Sequence, residues 1–198
     1  MKDVALSSIA RILVIAIQLI NIKLYTHYLD AEQLGMFFFL LTVSYSANAL
    51  LFVPVDYYQQ AKLAEIMKAG GARSLLNFNG KLVALYLCFS FVSVTACALI
   101  KPSYTVYVAL VLVLALALYA VQALRNTLNN LEYRSFVSIS FIQEAIVKVL
   151  LIYVLFQYFE ADESLLLVAG VISLVYINIH LHRLLDFHEI LKTFFIGA

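Results

Sequence analysis

The sequence predicts an all-α, polytopic membrane protein: six transmembrane helices in a single domain over 1–198, with the N and C termini cytoplasmic. Three observations carry that expectation. Hydrophobic residues make up 64% of the chain and charged ones 13%, with a mean hydropathy of +0.95, against roughly 25% charged residues in a soluble domain. Apolar windows of about the 20 residues needed to cross a hydrocarbon core about 30 Å thick recur six times; they cover 4–24, 35–59, 82–100, 104–124, 136–157 and 165–185. The third observation is the placement of the basic residues. With the N-terminus inside, the cytoplasmic side receives Lys2, Arg11, Lys62, Lys68, Arg73, Lys81, Arg125, Arg134, Arg183 and Lys192, and the outside only Lys23 and Lys101. Such an excess of Lys and Arg marks inner loops and sets orientation.

The first span is N-terminal and apolar, as a secretory signal would be. Its run is longer than the roughly 7 to 15 residues of a signal core, and no small-x-small cleavage site precedes Tyr25, so it reads as a span. It carries one polar stripe: Arg11 and Gln18, seven apart, project within about 20° of each other, with Ser7 one turn earlier and Asn21 on the adjoining edge. Arg11 either snorkels back to the cytoplasmic headgroups or lines an inward-facing cavity and meets an anionic ligand. The second span repeats the pattern with Tyr45, Asn48 and Asp56 and contains Pro54. Proline removes a backbone donor and frees the carbonyl of Leu50, which predicts a kink in the cytoplasmic half, read as a static bend or as a hinge.

A longer connection follows, from about Lys62 to Lys81. Around Gly70-Gly71 it places Leu63, Ile66 and Met67 where a small amphipathic helix would lie on the inner leaflet. The third span holds both cysteines, Cys88 and Cys97, nine apart and hence on opposite faces of one helix, unable to bond to each other within it. The fourth ends in a polar run of Tyr119, Gln122, Arg125, Asn126, Asn129 and Asn130.

The fifth span is the most informative, because it sets Ser140, Glu144 and Lys148 at successive steps of four in the middle of an apolar window. An ionised group at bilayer depth costs roughly 2.5 to 3.5 kcal/mol even on the lenient insertion scale, so it is kept mainly where it faces a cavity or a partner. Glu followed four residues later by Lys is the favourable order for an intrahelical pair, which predicts self-neutralisation; a breakable pair would leave Lys148 to bind phosphate oxygens and Glu144 to take up a proton or cation. The sixth span offers a weaker stripe of Ser173, Tyr176 and His180.

Membrane helices also use polar residues to pack, but stripes on most of six helices point to a shared, water-accessible cavity open to the cytoplasm. The candidate binding residues are Arg11, Gln18, Asn48, Arg125 and Lys148. Glu144 and Asp56 are the candidate ion-coupling residues, and Pro54 and Gly35 the candidate hinges.

The Ser-Ser-x-x-Arg of the first span, followed by His27-Tyr28-Leu29-Asp30-Ala31-Glu32-Gln33-Leu34-Gly35, resembles the opening of the polysaccharide and O-antigen flippases, within the multidrug/oligosaccharidyl-lipid/polysaccharide exporter superfamily. Pro54 falls where that family often has a proline, and Asn130-Leu131-Glu132-Tyr133-Arg134 resembles the polar turn before its fifth helix. The resemblance implies one six-helix lobe of an exporter-type bundle in the bacterial inner membrane. The lobe would move undecaprenyl-pyrophosphate-linked oligosaccharide outward by alternating access, with the family's cavity charges matched by Arg11 and Lys148 and its polar second-helix positions by Asn48 or Asp56. Outward movement of negative charge is favoured by about 2.3 kcal/mol per charge per 100 mV. Family members carry two such lobes, so the expected partners are membrane lipids, the lipid-linked oligosaccharide and a second lobe, either another six-helix bundle or a second copy in a homodimer about an axis along the membrane normal. A cation-coupled drug antiporter of the same superfamily, with Glu144 or Asp56 as the ion site, and a non-transporting scaffold of a glycan-assembly complex are the competing expectations.

Enzymatic chemistry has little support in the sequence. There is no glycine-rich phosphate loop, and only His182, Asp186 and Glu189 combine histidine with nearby carboxylates, in what reads as a solvated tail. No cofactor, metal or nucleic-acid partner is expected.

Overall fold

The structure, a computed structural model, describes the backbone of residues 2–130 and 133–196 and the side chains of 7–62, 65, 81–130 and 133–183. These residues form α1 (Lys2–Tyr28), α2 (Ala31–Leu51), α3 (Val53–Ile100), a 3-10 turn (Pro102–Tyr104), α4 (Thr105–Asn130), α5 (Arg134–Tyr158) and α6 (Glu163–Ile196), with no strand among them. Six helical stretches are long and apolar enough to cross a membrane. The chain is an all-α, multi-pass membrane protein.

The distribution of side chains fits that solvent. Leu99 and Ile100 are 82% and 84% exposed, and Ile12, Leu50 and Phe91 also face outward. Ser44, Ser140 and Ser173 are buried, each hydroxyl donating to a carbonyl three or four residues back. Lipid tails are as apolar as leucine, so exposed apolar groups cost nothing there, and close packing around small residues holds the helices together.

The contacts group into two compact units, Met1–Gly35 with Ala120–Ala198, and Met36–Tyr119. In the first, α1 and α5 run parallel. Ser7 Oγ lies 3.0 Å from Ser138 Oγ near one end, and Gln157 Nε2 donates to Tyr28 Oη at 3.4 Å near the other, at sequence offsets of 131 and 129. The Tyr28 ring also packs on Phe156, 5.0 Å between centroids. α6 lies against the other side chains of α5, with Leu166, Leu167, Ile177 and Leu181 buried.

Short polar connections fix both helix starts on the side predicted to be outside. Asp30 Oδ1 accepts from the Gln33 backbone N–H at 2.8 Å while Gln33 Oε1 accepts from the Asp30 N–H at 3.2 Å, a reciprocal pair that satisfies two otherwise orphaned donors. Gln33 Nε2 then donates to the Ala161 carbonyl at 3.3 Å, tying this turn to the one between α5 and α6. There Asp162 accepts from the Ser164 hydroxyl at 2.6 Å. Hydrogen bonding, first with Glu163 and then with Ser164, holds the Asp162 carboxyl below its usual pKa, so it is ionised at the positive start of α6.

In the second unit the sequence predicts a helix continuing to Gln59 with an internal kink at Pro54; α2 stops at Leu51 and α3 starts at Val53, with only Phe52 between them and Pro54 in the first turn of α3. The missing proline N–H explains the placement, since first-turn donors have no intrahelical acceptor in any case. Phe52 marks the junction and is buried, stacked on Tyr119 at 4.4 Å and against Tyr86 at 4.7 Å.

The Phe52–Tyr86 contact also shows that α3 is not one straight rod. At 1.5 Å per residue a straight helix would place residues 52 and 86 about 50 Å apart, so the helical segment folds back on itself between them. Leu63, Ile66 and Met67, the apolar face of the expected surface helix, have side chains outside the described residues. The returning arm packs on α4 through the Tyr86 hydroxyl, which donates to the Leu112 carbonyl at 2.9 Å.

Candidate functional site

A cavity of 650 Å³ opens in the first unit beside the α1–α5 seam, at the end where α4 finishes and α5 begins. Its polar lining is Ser7, Ser8 and Arg11 from α1, Asn129 from α4, and Arg134 and Ser138 from α5; Val14, Ile15, Val137 and Phe141 are among its apolar walls. The placement follows from helical spacing. Ser7, Arg11 and Val14 follow one face of α1, and Arg134, Ser138 and Phe141, at steps of four and three, follow one face of α5. Tyr133 at the start of α5 supplies no side-chain cap, so the first-turn N–H groups add the positive end of a helix to this region.

Both arginines are exposed, Ser138 is buried, and the described lining contains no acid. Leu131 and Glu132, in the turn that carries part of the family resemblance, lie outside the described residues. Two guanidinium groups with hydroxyl and amide donors are groups that could hold a multivalent oxyanion, since the planar guanidinium matches phosphate geometry with paired hydrogen bonds.

Behind the cavity wall lies an ion pair between helices. Arg125 on α4 is buried; its Nη2 lies 2.8 Å from Glu144 Oε2, its Nε donates to Ser140 Oγ at 3.0 Å, and its guanidinium carbon sits 3.8 Å from the centroid of the Phe141 ring. Glu144 therefore pairs with Arg125 rather than with Lys148, the partner its own helix offers. The fork of the guanidinium explains the choice, because it reaches two acceptors one turn apart and an aromatic face together. Lys148 is half-buried and bonds nothing within 4.0 Å among the described residues. The α1–α5 offset puts Gln18 level with Lys148, Arg11 level with Phe141 and Ile15, the deepest α1 residue of the lining, level with Ala145, so Lys148 lies about one helical turn beyond the cavity. Gln18 is exposed and does not line the cavity.

The remaining candidates belong to the second unit. Asn48 Nδ2 donates to the Ala115 carbonyl at 3.0 Å, an interhelical bond where Ala115, fully buried, lets the backbones approach. Asp56 is buried in the first turns of α3, accepts from Gln60 Nε2 at 3.1 Å, and interacts with Tyr119, which is also hydrogen-bonded by Gln59. Among the described residues no three His, Cys, Asp or Glu side chains gather closely enough to hold a metal ion.

Gly35 lies near the start of α2, the last residue of the first unit's N-terminal stretch, and a Cβ built there meets nothing within 4 Å. Gly35→Ala is expected to stabilise α2 by about 1 kcal/mol, the helix-propensity difference between the two residues. The check is thermal unfolding of the purified chain in detergent; a midpoint that does not rise contradicts the expectation.

Arg134, Asn129, Ser8 and Ser138 are site residues that the sequence reading did not single out as ligands. A signal existed: Arg134, Ser138 and Phe141, at steps of four and three, form a second stripe on a face of α5 other than that of Ser140, Glu144 and Lys148. Compared with protein-family models, with curated proteins and with solved structures, the chain matches none.

Proposed function

We propose that this chain is one lobe of a flippase that moves lipid-linked oligosaccharide, with an undecaprenyl-pyrophosphate carrier, from the inner to the outer leaflet of a bacterial inner membrane by alternating access. The observation that supports it is the cavity: Arg11 and Arg134 with Ser7, Ser8, Ser138 and Asn129, at the basic end of parallel membrane helices. A diphosphate cannot enter hydrocarbon unshielded, and a lined recess beside a helix seam lets its charge stay solvated by the protein while the prenyl tail remains in lipid. The second lobe is supplied by another six-helix bundle or by a second copy of this chain. Positive lining also favours this reading over a cationic-drug antiporter, whose ligand the two arginines would repel.

The test is reconstitution in proteoliposomes with a short-chain prenyl-pyrophosphate sugar, following its arrival in the opposite leaflet by accessibility to an impermeant periodate reagent. Transfer above that of protein-free vesicles, competed by inorganic pyrophosphate on the cavity side, is the expected result. Transfer indifferent to pyrophosphate would remove the role assigned to the cavity.

A further inference from the structure

Glu144 has two cations near it among the described residues, Arg125 and Lys148, and only Arg125 bonds it. Arg125 holds Glu144 at 2.8 Å. Lys148 lies four residues beyond Glu144 on the same face of α5 and forms no hydrogen bond or ion pair within 4.0 Å among the described residues, with Glu144 as its electrostatic neighbour. Glu-to-Lys at that spacing and in that order is the arrangement in which an intrahelical pair forms. The position of counter-ion to Glu144 therefore has an occupant and a reserve.

Arg125 in turn is joined to the cavity by a single ring. Phe141 lines the cavity and carries the Arg125 guanidinium 3.8 Å from its centroid. Drawing the arginine toward an anion in the cavity would break an ion pair between a buried guanidinium and a half-buried carboxylate, and a carboxylate left unpaired there is destabilising. Lys148 removes that obstacle, because it can neutralise Glu144 as soon as Arg125 leaves. The surplus cation also explains why an interior charge is retained with no bonded partner in this state.

We propose that Glu144 exchanges counter-ions: a multivalent phosphate anion in the cavity draws Arg125 off Glu144 past Phe141, and Lys148 closes on Glu144 in its place. Arg125 is then a concealed third cation of the anion site, and Lys148 a positioning residue that makes its release affordable without touching the ligand. The trigger rests on the anion-binding reading of the cavity; the exchange itself does not.

Two measurements on the purified full chain separate these. Thermal unfolding of Arg125→Gln, Lys148→Met and the double variant tests the exchange without ligand. Each single variant keeps one partner for Glu144, so each is expected to unfold close to wild type, and the double variant well below the sum of the two losses. Additive losses overturn the exchange, whatever the cavity binds. Inorganic pyrophosphate is then titrated calorimetrically in phosphatidylcholine nanodiscs. Lys148→Met is expected to weaken binding about tenfold and Glu144→Gln to strengthen it about tenfold, with Lys148→Met silent when added to Glu144→Gln. Equal weakening by Lys148→Met in both backgrounds also overturns the proposal. A wild-type chain that binds no pyrophosphate overturns the trigger and the flippase reading, while the unfolding cycle still decides the exchange. Repetition in phosphatidylglycerol nanodiscs identifies the source of the anion: lost pyrophosphate binding assigns the site to lipid headgroups and retained binding to a pyrophosphate head, and either supports the exchange.

Discussion

Arg11→Ala combined with Arg134→Ala is expected to abolish pyrophosphate binding and lipid-linked oligosaccharide transfer while leaving the chain inserted and helical. The two residues supply the charged donors of the described cavity lining. A hydrogen bond to a charged group contributes roughly 1.5 to 3 kcal/mol, so losing both sets of contacts weakens binding by about a hundredfold or more. Neither residue has an ion pair within 4.0 Å to forfeit among the described residues, and both are exposed, so the fold should tolerate the change. Calorimetric titration and the vesicle assay read the loss, and unchanged circular dichroism excludes misfolding as its cause. Wild-type transfer by the double variant would end the case for this cavity as the substrate site.

Phe52→Ala is the substitution expected to cost the fold most in the second unit. Phe52 is 2% exposed and fills the junction of α2 and α3. Its ring stacks on Tyr119 at an interplanar angle of 15° and packs against Tyr86, whose hydroxyl is fixed on α4. Truncating a buried phenylalanine typically costs about 3 to 5 kcal/mol, the lost contacts plus the void left behind. The same ring packs on the returning arm of α3 through Tyr86, so the variant should show a lowered unfolding midpoint. Phe52→Leu, which keeps most of the volume, should lose markedly less. Equal losses for the two variants would show that the stack contributes little.

The six spans were legible because hydrophobic length is a local property, and so was the turn at Asp30–Gln33. There the residues that suggest a family resemblance also form a reciprocal helix-start pair, so this signal has a purely physical origin as well. Pro54 was read as an interruption because a donor is missing there, and the helix is interrupted two residues earlier, at Phe52, with helical backbone bonds on either side. The partner of Glu144 was out of reach for a different reason. Spacing along α5 offers Lys148, and only the approach of α4 shows that Arg125 competes and wins. Of the five binding residues proposed from the sequence, Arg11 alone lines the cavity; Gln18, on the same stripe, lies beyond its end. Asn48 and Ala115 meet across a helix interface, the role that polar residues in membrane helices often serve, and nothing in the pattern of α2 alone distinguishes that from a ligand contact.

The doubling-back of α3 has a practical consequence. Phe52 and Tyr86, far apart in sequence, meet ring to ring, so the helical segment between them is closed at its base by that contact, between the apolar stretches that end at Leu51 and begin at Lys81. An epitope or a small rigid reporter inserted between Gly70 and Gly71 would give binders a grip on the molecule from one face of the membrane, remote in sequence from the arginine-lined recess.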